Sequence, residues 1–305
     1  MNNIFQGSPL QKLITRIDGA YAPSTLRAYR SDFEEFIAFC GHAGTSALPA
    51  QPETVAEFID SVCQSGASSA SIRRKLVAIA SIHRLSRYPD PTKDGDVHLA
   101  MRKMHRKLGR MCDQAYGITA PLLDRLIVAT SDDLHGLRDR ALLHIAYETM
   151  RRRSELVSLR VEDLVESPNG ATLLLRRSKT DQEGKGTRLY ISLTALACVK
   201  DWLASARIEH GFILRGVVGN KEVTDSLSGD RIGRIYKRLA RTAGIAATTV
   251  AQISGHSLRV GAAQDLLKGG ATLPQIMVKG GWVKVDTVMR YVENTSFDST
   301  GIIFA

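Results

Sequence analysis

Apolar residues recur at helical spacing from Ser24 onward. In STLRAYRSDFEEFIAFC, Leu26, Tyr29, Phe33, Phe36 and Ile37 share one face, with Ser24 or Thr25 placed to cap its start. A turn rich in Gly, Ala and Pro follows (GHAGTSALPAQP), and TVAEFIDSVCQSG predicts a second helix ending near Gly66. A third helix runs from the serines at 68–71 through IRRKLVAIASIHRLS to about Ser86. Two prolines and a glycine make YPDPTKDGD a loop, and VHLAMRKMHRKLGR reads as a fourth, strongly basic helix.

Periodicity is lost over MCDQAYGITA, with Gly117 and Pro121 as breakers. The expected organisation is a helical N-terminal domain over 1–112, a linker over 113–120 and a second domain over 121–305. The second domain opens with helices in PLLDRLIVAT and GLRDRALLHIAYETM. VEDLVESPNG reads as a turn. ATLLLRRSKT and TRLYISL are β-type runs joined by the polar loop DQEGKG, which predicts a hairpin or small sheet. Helical patterns then return. The fold class is mainly α, with a small antiparallel β insertion in the second domain.

Composition narrows the partners. The chain has 305 residues, 44% of them apolar, so it can build real cores. A net charge of +10 and a pI near 9.6 favour a polyanionic partner, although charge alone fits an unrelated basic enzyme as well. The four cysteines form no CxxC pair and no histidine cluster has metal-ligand spacing, so neither a disulfide framework nor a zinc site is expected. MNNIFQGSPLQKL does not read as a signal peptide and no apolar run reaches membrane-spanning length. A reducing, cytoplasmic location fits best.

Several residues carry chemical promise. In GHSLRVGAAQDLLKGG, His256 and Arg259 are three apart and share a helix face; His256 falls in the first turn, where the helix dipole suits an anion. A capping histidine beside a surface arginine has the same spacing. In LPQIMVKGGWVKVDTVMRYV, Gly280 and Gly281 end a helix, Trp282 follows, and Asp286 is placed to cap a last helix carrying Tyr291. Ordinary packing is the commonest fate of such aromatics. Lys179 lies at a strand end, where lysines are usually solvated. ETMRRRSEL sets three arginines, Arg151, Arg152 and Arg153, in a row.

The order of these signals is more telling than any one of them. Arg, then Lys in a β-turn, then His-x-x-Arg, then Trp, then Tyr nine residues on resembles the tyrosine recombinase (phage integrase) family. SGHSLRVGAAQDLLKGGATLPQIMVKGGWVKVDTVMRYV is similar to the active-site segment of its Cre-like site-specific recombinases. PAQPETVAEFI and the H-R-x-S…P-x-P…V-x-L-x-M-R-K run are also Cre-like, and the similarity spans most of residues 24–300.

The resemblance implies a core-binding (SAM-like) first domain and a catalytic second domain. Tyr291 would attack a DNA phosphodiester, giving a 3′-phosphotyrosine and a free 5′-hydroxyl. Conservation of bond energy in that link removes the need for ATP, metal or other cofactor. Arg152 and Arg259 would hold the phosphorane, His256 and Trp282 would donate to its oxygens, Lys179 would protonate the leaving oxygen, and Glu155 would orient Arg152. DNA contacts would come from Ser71, Arg73, Arg74 and Lys75, and from Arg102, Lys103, Arg106 and Lys107. Arg231 and Arg234 would read bases from the helix in SGDRIGRIYKRLART. The implied partner is duplex DNA carrying inverted repeats laid out like lox but different in sequence. It would be bound by a dimer per site and a tetramer across two sites, with a Holliday junction between the two strand exchanges. No membrane is implied; a bacterial or phage origin, acting on nucleoid or plasmid DNA, is. The apolar end of FDSTGIIFA would dock on a neighbouring subunit. A type IB topoisomerase shares the tyrosine chemistry, and a DNA-binding regulator could share the fold.

Within ETMRRRSEL, a helix starting near Arg151 and running through VSLR would put Arg152 in line with Leu156 and Leu159, on the apolar stripe. Arg151 would align with Glu155 and Ser158, and Arg153 with Val157 and Arg160. Arg152 is then expected to point inward, with Arg151 and Arg153 solvated or facing phosphates. The Arg-x-x-Glu pattern of the family selects Arg152 too, although Arg151 stands where the family usually has an apolar residue.

Overall fold

The computed structural model describes residues 9–110, 114–178, 185–219 and 221–292. The chain divides into two compact units, 1–113 and 114–305.

The first unit contains α1 (Pro9–Arg16), α2 (Pro23–Ala43), α3 (Pro52–Gln64), α4 (Ser69–Leu85) and α5 (Gly95–Leu108). Four match the periodicity. The fifth, α1, buries Leu10, Leu13 and Ile14 in the same core. α2 begins one residue earlier than Ser24, with Ala22 at the N-cap and Pro23 as first helical residue. Proline has no N–H to satisfy and a pre-set φ, so it replaces a side-chain cap. α4 does use one: Ser68 accepts from the Ser71 N–H at 3.2 Å. The core centres on Phe36 and Phe58, packed edge-to-face at 5.1 Å, with Ile59, Ile79 and Ile82 around them. Truncating Phe36 to alanine would cost about 3–5 kcal/mol. His83 is buried in this unit. Its Nε2 accepts from the Ala50 N–H at 3.0 Å, so Nδ1 carries the proton and donates to the Ile79 carbonyl at 2.8 Å. Burial holds its pKa below the ordinary histidine value.

The second unit begins with residues expected to form a linker. Tyr116 and Ile118 donate backbone hydrogen bonds to the carbonyls of Gln252 and Ser257, so this stretch is built into the unit. α6 (Ala120–Val128), α7 (Leu134–Thr149) and the one-turn α8 (Arg153–Leu156) follow. Strands β1 (Leu164–Ser167), β2 (Gly170–Leu175) and β3 (Thr187–Ser192) form an antiparallel sheet in that order. The expected hairpin is β2–β3, with Leu173 opposite Leu189. VEDLVESPNG holds a strand as well as a turn, because Ser167 folds back opposite Gly170. After α9 (Leu193–Ser205) come the two-residue strands β4 (Val217–Val218) and β5 (Glu222–Val223). The remainder is α10 (Gly229–Thr242), α11 (Ala247–Gln252), α12 (Ser257–Lys268), α13 (Leu273–Gly280) and α14 (Val285–Val292). Trp202 anchors the main core and donates its indole N–H to the Ile213 carbonyl at 2.7 Å. Met150, Ala262, Ala263, Ile276, Trp282 and Val288 form a separate small cluster. Among the described residues, no helix is long and apolar enough to cross a membrane.

Candidate active site

The site is assembled around the end of α7. Met150 caps that helix in the left-handed conformation (φ 53°), and its side chain is fully buried. Arg152 is extended (φ −68°, ψ 152°), and α8 starts only at Arg153. No helix therefore runs through the three arginines, and the four- and seven-residue steps expected from Arg151 do not apply. Arg152 is singled out by a different contact. Its backbone N–H donates to Glu155 Oε2 at 2.9 Å and its Nη1 to Oε1 at 2.7 Å. Glu155 is buried and holds Arg152 at both ends, leaving the guanidinium partly exposed.

Arg151 corrects the expectation of a solvated or phosphate-facing side chain. It is only 5% exposed, with Nε donating to the Thr149 carbonyl at 2.9 Å and Nη2 to the Lys279 carbonyl. The reversal at Met150 aims it at the C-terminal end of α13, where carbonyls lack helical partners. Arg153 is exposed and pairs with Asp230 at 2.7 Å.

His256 is the N-cap of α12 rather than a first-turn residue, and its side chain caps nothing. Its backbone N–H donates to Ser254 Oγ at 3.1 Å. Arg259 is no surface arginine: it is 2% exposed, its Nη1 donates to the Met150 carbonyl, and its guanidinium carbon lies 4.0 Å above the Trp282 ring. Its Nη2 is buried and has no hydrogen-bond partner among the described residues. Burial first, then the charge of Arg152, pushes its pKa down to about 10, which leaves it a cation at neutral pH. His256 is also lowered, by burial first and then by Arg259, Arg153 and Arg152. Its neutral ring keeps one nitrogen free to accept a proton.

Gly280 and Gly281 make room for this arrangement. A Cβ on Gly280 would meet the Trp282 ring at 1.9 Å, and one on Gly281, left-handed at φ 64°, would meet Arg151 Nη1 at 2.6 Å. Trp282 packs 5.6 Å from the ring of Tyr291, and Gln264 Nε2 donates to the Tyr291 carbonyl at 3.1 Å. α14 begins at Val285, so Asp286 lies in its first turn and does not cap it. Lys179 lies outside the described residues. The structure thus gathers Arg152, Glu155, His256, Arg259, Trp282 and Tyr291 from four segments of the chain. It adds Arg151 and Gln264, which the sequence reading left out of the site.

Known proteins carry the same pattern. The profile of the Phage integrase family matches residues 118–296, and that of the phage integrase N-terminal SAM-like domain matches residues 14–87. The chain belongs to the phage integrase family. It is 30% identical to an integrase/recombinase xerD homolog of Selenomonas ruminantium, over 91% of this chain and 84% of that one. It is 27% identical to recombinase cre of Escherichia phage P1, over 93% and 88%. The crystal structure of the XerH site-specific recombinase bound to palindromic difH substrate, a post-cleavage complex, matches with a TM-score of 0.67 and 16% identity. That match covers 93% of this chain and 80% of that one, and speaks for the fold. The protein is a tyrosine recombinase, of the family that cleaves and rejoins DNA.

On this recombinase the expected DNA-contacting residues divide. Arg102, Lys103, Arg106 and Lys107 are all exposed on α5, and Arg73 and Arg74 on α4. Ser71 is half-buried. Lys75 is a correction: it is 6% exposed, tied to Glu35 and 3.8 Å from Asp32. It falls on the α4 face that packs against α2, so its charge offsets the buried Asp32 and pairs with the exposed Glu35 instead of being offered to solvent. Arg231 and Arg234 are both exposed on α10, while the intervening Ile232 and following Ile235 are buried.

Proposed function

We propose that this protein is a Cre-like site-specific recombinase acting through a 3′-phosphotyrosine at inverted-repeat sites. Tyr291 attacks phosphorus, the bond to the 5′ oxygen breaks, and the phosphoryl group is held on the tyrosine until a partner 5′-hydroxyl reverses the step. The tyrosine proton passes to neutral His256, and Lys179 protonates the departing 5′ oxygen. Arg152, oriented by Glu155, and Arg259 meet the charge on the equatorial oxygens, with Trp282 beside them.

The observation that carries this reading is the orphaned Nη2 of Arg259. A buried guanidinium N–H without an acceptor costs about 1–3 kcal/mol. A scissile phosphate in front of Arg152 and Tyr291 would supply that acceptor.

Two rounds of exchange through a Holliday junction, by a tetramer holding two sites, complete the proposal. The segment expected to dock on a neighbour, 300–305, lies outside the described residues. Action on bacterial or phage DNA in a reducing cytoplasm goes with it.

The test uses nicked half-sites built on inverted repeats flanking the coding region, incubated without magnesium. A covalent protein–DNA adduct is expected, and it should vanish in Tyr291→Phe. No adduct on any candidate site would overturn the proposal. An adduct without junction formation on full sites would favour topoisomerase-like cleavage.

A further inference from the structure

Arg151 is the one cation of ETMRRRSEL that is fully withdrawn from solvent, and no carboxylate is in ion-pair contact with it among the described residues. Its partners are carbonyls. Nε holds Thr149, the last residue of α7, and Nη2 holds Lys279, in the last turn of α13. A helix C-terminus presents unpaired carbonyls and the negative end of the dipole, so a cation is well placed there.

Two neighbouring contacts give this link a consequence. Between Thr149 and Arg151, the Met150 carbonyl accepts from Arg259 Nη1. Three residues after Lys279 and one after left-handed Gly281, the indole of Trp282 lies against both Gly280 and the Arg259 guanidinium. Arg151 and Arg259 therefore grip consecutive carbonyls of one turn, and the far end of the Arg151 grip is the turn that carries Trp282. A leucine at 151 could fill the volume but would hold neither carbonyl.

We infer that Arg151 is a positioning residue that latches the end of α7 to the end of α13. The latch presses Trp282 against Arg259, and Arg151 itself makes no contact with DNA. The inference rests on the proposed recombinase reading only for its kinetic consequence. The latch itself is a statement about Trp282.

The experiment labels the whole chain with 5-fluorotryptophan, which gives two 19F resonances, Trp202 and Trp282, assigned through Trp282→Phe. Arg151→Leu is expected to move the Trp282 resonance and leave Trp202, deep in the other core, in place. An unmoved Trp202 line also shows that the variant is folded. Binding to a mixed-sequence duplex across a salt series should keep its wild-type slope, because no phosphate contact is lost. A phosphate-binding arginine would lower the slope by about 1. The first-order rate of adduct formation on half-sites should fall roughly 10- to 100-fold at saturating DNA. Arg151→Lys keeps the charge but not the fork that spans two carbonyls, and it should show the same Trp282 shift in smaller measure.

An unmoved Trp282 resonance, or a salt slope reduced by one, overturns the latch. If Arg151→Leu does not fold, Gly281→Ala decides: its Cβ presses on Arg151 Nη1 and should reproduce the Trp282 shift, and an unchanged resonance overturns the inference. If the wild-type protein forms no adduct, the recombinase reading fails, while the resonances and the salt slope still judge the latch.

Discussion

α5 of the first unit and the candidate site of the second use basic side chains in opposite ways. On α5 of the first unit, Arg102, Lys103, Arg106 and Lys107 stand in solvent around a thin buried stripe of Val97, Ala100 and Met104. In the second unit, Arg151 and Arg259 are buried and held by backbone carbonyls. An exposed cation is screened by salt and gains little from any one partner. A buried one is costly to keep and is retained only where its geometry is used. The first arrangement suits a polyanion gripped at many points. The second suits one reacting group met at fixed distances.

The largest break in that contrast should come from the buried side. Arg259→Ala and Arg152→Ala are expected to slow adduct formation by about 10²–10³-fold or more, while binding to mixed-sequence duplex is retained. Arg153→Ala, which removes an exposed side chain paired with Asp230, should leave cleavage near wild type. Equal loss in Arg152→Ala and Arg153→Ala would end the distinction between them.

Gly280→Ala should come next. Its methyl would occupy the place of the Trp282 ring, 1.9 Å from its nearest atom, so the indole must leave Arg259. A fall in cleavage of roughly 10- to 100-fold is expected, with the overall helicity kept. Circular dichroism beside the half-site assay checks both.

A smaller effect sharpens the comparison within the first unit. Lys75→Ala should cost about 1–3 kcal/mol, because Asp32 is left with Arg74 alone, and it should leave the salt slope of DNA binding unchanged. His83 adds a pH signature to that unit. Its folded pKa lies below the ordinary value near 6.5, so the unfolded chain binds the proton first as pH falls. Its contribution is complete above about pH 6.5 and is lost as pH drops toward the folded value. Protection factors of α4 amides in the full chain, taken against the intrinsic exchange rate at each pH, should fall over that range, and His83→Gln should flatten the trend. The smallest expected effect belongs to the exposed cations. Arg102→Gln and Arg106→Gln should each lower the salt slope by about 1 and leave the cleavage rate at saturating DNA untouched.

The helices of the first unit were legible because their apolar stripes run for several turns, as in Phe33, Phe36 and Ile37 of α2. α1 has the same signal in Leu10, Leu13 and Ile14, over only two turns. β1, β4 and β5 are too short for a period of two to register, and they exist through pairing with a neighbouring strand across a short folded-back turn. Among the site residues, His-x-x-Arg and Gly-Gly-Trp were legible as motifs. Their partners were not, since Gln264 reaches the Tyr291 carbonyl from another helix.

ETMRRRSEL shows where the division falls. Residue type and order along the chain grouped an arginine here, a His-x-x-Arg and a late tyrosine into one candidate site. Arg152 with Glu155 could be picked out because the contact spans only three residues. The sequence by itself could not say that Arg151 is buried. That follows from a left-handed Met150, which stops the helix before the arginines, and from Gly281, which leaves a gap for a guanidinium more than a hundred residues downstream. Local periodicity carries information about a neighbour one turn away. Which carbonyl at the far end of another helix will need a donor is decided only when the chain has closed on itself.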